Sequence, residues 1–154
     1  MHKIACCKNR HSKESAFRWI TFAVLMTADR AAKLLAVFYL NKAMIGENVR
    51  LFSLSLHHNQ SISFSMLKNL PSISLAASIV GTVIFGILCL KNASLCSSTG
   101  VLFLWAGAIG NLIDRLLYGY VIDWLYIGIY INLADIWLCV GCLIIFFQYA
   151  ESSA

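Results

Sequence analysis

Residues 71–90 read PSISLAASIVGTVIFGILCL, twenty positions without one charged side chain. As a helix, about 20 residues rise through about 30 Å, the thickness of bilayer hydrocarbon. Three further apolar runs, roughly 17–40, 99–117 and 133–150, have similar lengths. Hydrophobic residues make up 60% of the 154 positions and charged residues 12%, so apolar surface far exceeds what a soluble domain of this size buries. The predicted fold is all-α and integral to the membrane: one embedded domain over 1–154, with four transmembrane helices joined by short connections and a basic tail over 1–16. Pro71 opens the second run where a missing backbone N–H is harmless, and Lys91 closes it at the interface.

The formal net charge of +5 does not call for a nucleic-acid partner, because five of the twelve basic residues (Lys3, Lys8, Arg10, Lys13 and Arg18) precede or open the first apolar run. Such a cluster holds an N-terminus in the cytoplasm. An even number of spans then puts both termini on that side; Lys91 in the second loop agrees, while Lys42, Arg50 and Lys68 in the first outer loop weaken the count. The first run is too long for a signal-peptide core and ends without a small-residue cleavage site, so it reads as a retained helix. Cys6, Cys7, Cys89, Cys96, Cys139 and Cys142 fall on cytoplasmic or apolar segments and read as free thiols.

The loop between the first two runs is about thirty residues, more than an antiparallel helix connection needs. In it Phe52, Leu54 and Leu56 alternate with Ser53, Ser55 and His57, and Ile62, Phe64 and Met66 alternate with Ser61, Ser63 and Ser65. Period-two alternation on both sides of a polar turn predicts a small outer β-hairpin with one apolar face. His57 and His58 lie beside the turn with no further ligands at metal spacing, and no metal is expected. The second outer connection, YVIDWLYIGIYI (120–131), is aromatic and apolar and belongs at the interface.

All four aspartates of the chain, Asp29, Asp114, Asp123 and Asp135, lie in or at the edge of these apolar segments. Ionisable groups are expensive in hydrocarbon unless they face a protein interior or a wet cavity. At 1.5 Å per residue Asp29 lies about 18 Å along the first helix and Asp114 about 22 Å along the third, while Asp123 lies in the second outer connection and Asp135 in the first turn of the fourth helix. All four can meet in the outer half of the membrane. Asn111, Asp114 and Arg115 share a helix face, Gly107 and Gly110 bring that side close to its neighbours, and Asp29 and Lys33 form an i, i+4 pair. The plainer readings are a structural ion pair for Asp29–Lys33, snorkelling for Arg115 and a helix cap for Asn132 with Asp135. Two carboxylates sharing a site divide into one protonated and one ionised. That division serves an aspartic protease, and it equally serves a proton relay.

The segment WAGAIGNLIDRLLYGYVIDW (105–124), followed by INLAD (131–135), resembles the signature of lipoprotein signal peptidase (signal peptidase II), a four-helix aspartyl protease of the bacterial inner membrane. It reproduces Gly-Ala-x-Gly-Asn-x-x-Asp-Arg, Gly-x-Val-x-Asp and Asn-x-Ala-Asp in order. TADRAAK (27–33) is similar to the family's Asp-x-x-x-Lys, and HHNQSISFS (57–65) to its outer β-cradle. The resemblance implies cleavage of a diacylglyceryl-modified prolipoprotein just before the lipidated cysteine, with membrane lipid as surroundings, no cofactor, and an active site toward the periplasmic face. It makes Asp123 and Asp135 the catalytic dyad. Asn111, Asp114, Arg115 and Asn132 would brace the dyad and position substrate, Asn59 would contact substrate from the cradle, and Asp29 with Lys33 would support the site. The departures are Ser61 for a cradle glycine, Ser63 for an alanine, Trp124 and Ile131 for phenylalanines, and a shorter stretch between the two aspartates of the dyad. The competing reading, a proton-coupled or ion-conducting protein using the same aspartates, lacks the internal repeat on which many transporters are built.

Overall fold

In the computed structural model, residues 2–40, 53–60 and 71–152 are described. Pro71 stands at the first position of α2 (Pro71–Lys91), where its fixed φ suits the helix and no N–H is wasted. The preceding helix, α1 (His2–Leu40), is longer than its apolar part, and the run from 17 is the continuation of a helix that begins in the basic segment. A single turn of helix, α3 (Ala93–Ser97), leads from α2 into α4 (Thr99–Tyr118). The side chain of Ser98 caps α4 by accepting from the Gly100 N–H at 3.1 Å. Gly119 ends α4 at φ +78°, where a Cβ would be strained, with its N–H on the Arg115 carbonyl. The last helix is α5 (Leu133–Ser152).

Three of these helices are long and apolar enough to cross a membrane: Pro71–Lys91, Thr99–Tyr118 and Leu133–Glu151. The apolar part of α1 differs from them in carrying Arg18, Asp29, Arg30 and Lys33. Burial runs opposite to that of a soluble domain. Leu90, Phe146, Phe147 and Trp19 are exposed, while Asp29, Lys33, Asp114, Asp123 and Asn132 are at most 1% exposed. Such a distribution suits a hydrocarbon solvent and a polar interior. The closest helix packing is between α4 and α5, where small residues let backbones meet. A Cβ on Gly100 would come within 2.7 Å of the Gly141 carbonyl oxygen, and on the side of α4 that faces α1 one on Gly110 would come within 2.9 Å of Asp29 Oδ2.

The strand expected in the first outer loop is present, and it has a partner that its alternation does not name: β1 (Ser53–Asn59) pairs antiparallel with β2 (Val121–Tyr126) of the second outer connection. The second arm of that predicted hairpin, 61–66, lies outside the described residues. Alternation marks a segment as a strand with two unlike faces and carries no information about its partner. The register sets His57 opposite Asp123 and Asn59 opposite Val121, with a bulge between Leu54 and His57. A short third strand, β3 (Tyr130–Ile131), returns along β2 through a turn in which Gly128 has φ +91°. His57 stacks on Tyr130 and His58 on Tyr120, with ring centroids 4.4 and 4.3 Å apart. The sheet thus covers one end of the helices and carries Asp123 on its central strand.

Candidate active site

Asn132 is the residue on which the site turns. It is the N-cap of α5: its Oδ1 accepts the Asp135 N–H at 3.2 Å, and Asp135 Oδ2 accepts the Asn132 N–H at 3.1 Å. This is a reciprocal capping box, so the helix-cap reading of that spacing holds. The other half of the same amide does something a cap does not require. Asn132 Nδ2 donates to Asp123 Oδ1 at 2.5 Å, so one buried side chain touches the backbone of one carboxylate residue and the side chain of the other. Asn59, from β1, donates Nδ2 to the second oxygen of Asp123 at 2.9 Å. Asn111, from α4, donates Nδ2 to Asp135 Oδ1 at 2.8 Å.

Beneath this pair lies a charge network. Lys33 Nζ is 2.9 Å from Asp29 Oδ2 and 2.7 Å from Asp114 Oδ2, and it also donates to Asn111 Oδ1 at 3.3 Å. Arg30 reaches the same two carboxylates, 3.2 Å from Asp29 Oδ2 and 2.6 Å from Asp114 Oδ1. The i, i+4 spacing points to Asp29 and Lys33. It does not point to Arg30, which stands one residue after Asp29 and is brought into the network by Asp114 and the Gly110 carbonyl on α4. Arg115 also reaches α2: its Nε donates to Ser74 Oγ at 2.8 Å, tying α4 to α2. Ser74, buried near the start of α2, carries no signal in the sequence.

Asp123 sits in the sheet, outside the helices. Burial pushes its carboxyl up to about 6; the Asn59 and Asn132 hydrogen bonds and the Lys33 charge hold it down, and the Asp135 charge holds it up. Asn59→Ala removes one of the donors that favour the ionised form, so Asp123 should take up its proton at higher pH. The expected result is an acidic limb of the pH–activity profile displaced upward, by roughly half a unit to one unit, measured as kcat/KM against pH. A limb that stays in place would separate Asn59 from the titration. Among the described residues no group of three or more His, Cys, Asp or Glu side chains is placed to hold a metal ion, and Cys89, Cys96, Cys139 and Cys142 are free thiols.

The profile described as signal peptidase (SPase) II matches residues 21–150, a span that takes in every residue of this site. The chain belongs to the signal peptidase II family. Relatives named lipoprotein signal peptidase include one from Pseudoalteromonas translucida, 29% identical over 89% of this chain and 90% of its own. Another, from Enterococcus faecalis, is 34% identical over 80% and 81% of the two chains. A third, from Fusobacterium nucleatum, is 27% identical over 93% and 92%. Two solved structures described as bacterial membrane enzymes share the fold. The first has a TM-score of 0.70 at 19% identity over 90% of each chain, and the second 0.66 at 20% identity over 87% and 92%. This signal peptidase II is a membrane protease of aspartic type that cleaves signal peptides from prolipoproteins.

Proposed function

We propose that Asp123 and Asp135 are the catalytic dyad, and that the substrate is a diacylglyceryl-modified prolipoprotein cut just before its lipidated cysteine. The observation that carries this reading is the double engagement of Asn132, whose side-chain amide donates to the buried Asp123 carboxylate of β2 while its backbone N–H donates to the half-buried Asp135 carboxylate of α5. In the working state the pair holds one proton. The ionised carboxylate takes a proton from a water, whose oxygen attacks the scissile carbonyl; the protonated partner donates to that carbonyl oxygen. Collapse of the tetrahedral intermediate passes a proton to the leaving nitrogen. The products are a signal peptide with a new carboxylate and a lipoprotein with a new amino terminus at cysteine.

In this reading Asn59, Asn111 and Asn132 orient the carboxylates, while Asp29, Lys33, Asp114 and Arg115 support them from α1 and α4. The apolar part of α1 serves as a fourth span, with Asp29, Arg30 and Lys33 turned to its neighbours and Arg18 held at its start by the Cys96 and Ser97 carbonyls. The basic segment lies in the cytoplasm, both ends of the four-helix body face that side, and the site opens toward the outer face of the inner membrane among its lipids. The charge bias of residues 3–18 supports this orientation. The test uses purified protein in liposomes with a diacylglyceryl prolipoprotein, its unlipidated form, and mass spectrometry of the products. Scission at the residue before the lipidated cysteine, in the lipidated substrate alone, is expected. Equal cutting of both forms would remove the lipid from the recognition, and a proton flux without proteolysis would favour the ion-conducting reading.

A further inference from the structure

The two supporting carboxylates do matching things. Asp29 Oδ1 accepts the backbone N–H of Ala134 at 3.0 Å, and Asp114 Oδ2 accepts the backbone N–H of Ile122 at 3.3 Å. Ala134 and Ile122 are the residues immediately before Asp135 and Asp123. Each buried carboxylate therefore holds the peptide that leads into one member of the proposed dyad, and Lys33 and Arg30 each bridge both carboxylates. Two cations facing two anions leave the network neutral.

We infer that Arg30 is a positioning residue of this peptidase: by bridging Asp29 and Asp114 as a second counter-ion, it keeps the two backbone-holding carboxylates in place and shields the dyad from their charge. The inference rests on the Asp123–Asp135 reading. Lys33 alone balances one carboxylate, so loss of Arg30 leaves one uncompensated negative charge beneath the site. That charge opposes ionisation of Asp123, whose carboxyl burial already holds at about 6. The other groups that face Asp123 are unchanged by the substitution: Asn59 and His57 from β1, Asn132 and Asp135 at the start of α5, Lys33 from α1, and Arg115 from α4.

The test compares Arg30→Gln, Arg30→Lys and the charge-balanced Asp29→Asn/Arg30→Gln with wild type, as kcat and KM against pH on a lipidated substrate in liposomes. Arg30→Gln should lower kcat about tenfold with KM within about twofold, and should move the acidic limb up by roughly one pH unit. Arg30→Lys should return the limb to its wild-type position. The double variant should do the same, because the amide carbonyl then standing at position 29 can still accept the Ala134 N–H while the network is again neutral. A merely structural Arg30 would reduce the amount of folded enzyme and leave the limb where it was, which would overturn the inference. If Arg30→Gln does not accumulate, the double variant decides: a limb still displaced in it contradicts the charge argument. Failure of the dyad reading shows separately, as Asp123→Asn protein that retains cleavage.

Discussion

Asp123→Asn is expected to lower kcat for prolipoprotein cleavage by about 10³-fold while the protein still inserts and folds. An amide is nearly the shape of a carboxylate, so the cradle packing survives. Two donors, Asn59 Nδ2 and Asn132 Nδ2, now meet one acceptor oxygen in place of two, so one contact is lost and the group can no longer take a proton from water. Asp135→Asn should have a matching effect for a different local reason. Its oxygens accept from Asn111 Nδ2 and the Asn132 N–H, and the helix cap persists through Asn132 Oδ1 on the backbone N–H of residue 135. Both are measured as single-turnover rates on a lipidated substrate, with far-ultraviolet dichroism to verify the fold. A variant at either position that cleaves at wild-type rate would remove that carboxylate from the chemistry.

Lys33→Met should produce the largest loss of stability. The ammonium is 1% exposed and lies between Asp29 and Asp114, with Asn111 as a third contact. Removing one partner from a buried ion pair leaves an uncompensated charge, a loss of about 3–5 kcal/mol. Arg30 still faces both carboxylates but is itself partly exposed, and it has no contact with Asn111 to replace the one lost. Thermal unfolding in detergent, followed by dichroism, should show a markedly lower midpoint and little folded protein at physiological temperature. A midpoint equal to that of wild type would mean the network is not a source of stability. Replacing Leu90, which is 88% exposed, by another large apolar residue should leave the midpoint unchanged.

These expectations differ in how far the sequence alone supports them. The uncharged run from Pro71 to Leu90 predicts a spanning helix because length and composition suffice for that inference. The first helix is less transparent: Arg18, Asp29, Arg30 and Lys33 interrupt its apolar character, and the packing of α4 and α5 against it explains why Asp29 and Lys33 are buried. The strand character of 53–59 is visible in its alternation, yet its partner is not. The pairing is with a segment more than sixty residues away that reads as an interfacial connection.

At the site, Asn132 shows the same limit at the scale of one side chain. Its spacing to Asp135 announces a helix cap, and the cap is present. Nothing in the spacing says that the remaining amide hydrogens point at Asp123. The acceptors of the Ala134 and Ile122 N–H groups are equally hidden, because any residue supplies a backbone donor and sequence does not mark which one is held. Arg30 escapes the sequence pattern for a geometric reason. Adjacent helix positions diverge by about 100°, so Asp29 and Arg30 do not pair by helix periodicity, and it takes Asp114 on a second helix to draw the guanidinium in.

The most direct test of the dyad is a kinetic double-mutant cycle on a diacylglyceryl prolipoprotein, with kcat/KM measured for wild type, Asp123→Asn, Asp135→Asn and the double variant. Two carboxylates that share one proton act as a unit, and the double variant is predicted to be no slower than either single variant. Losses that multiply, or a single variant that keeps its rate, would contradict the account.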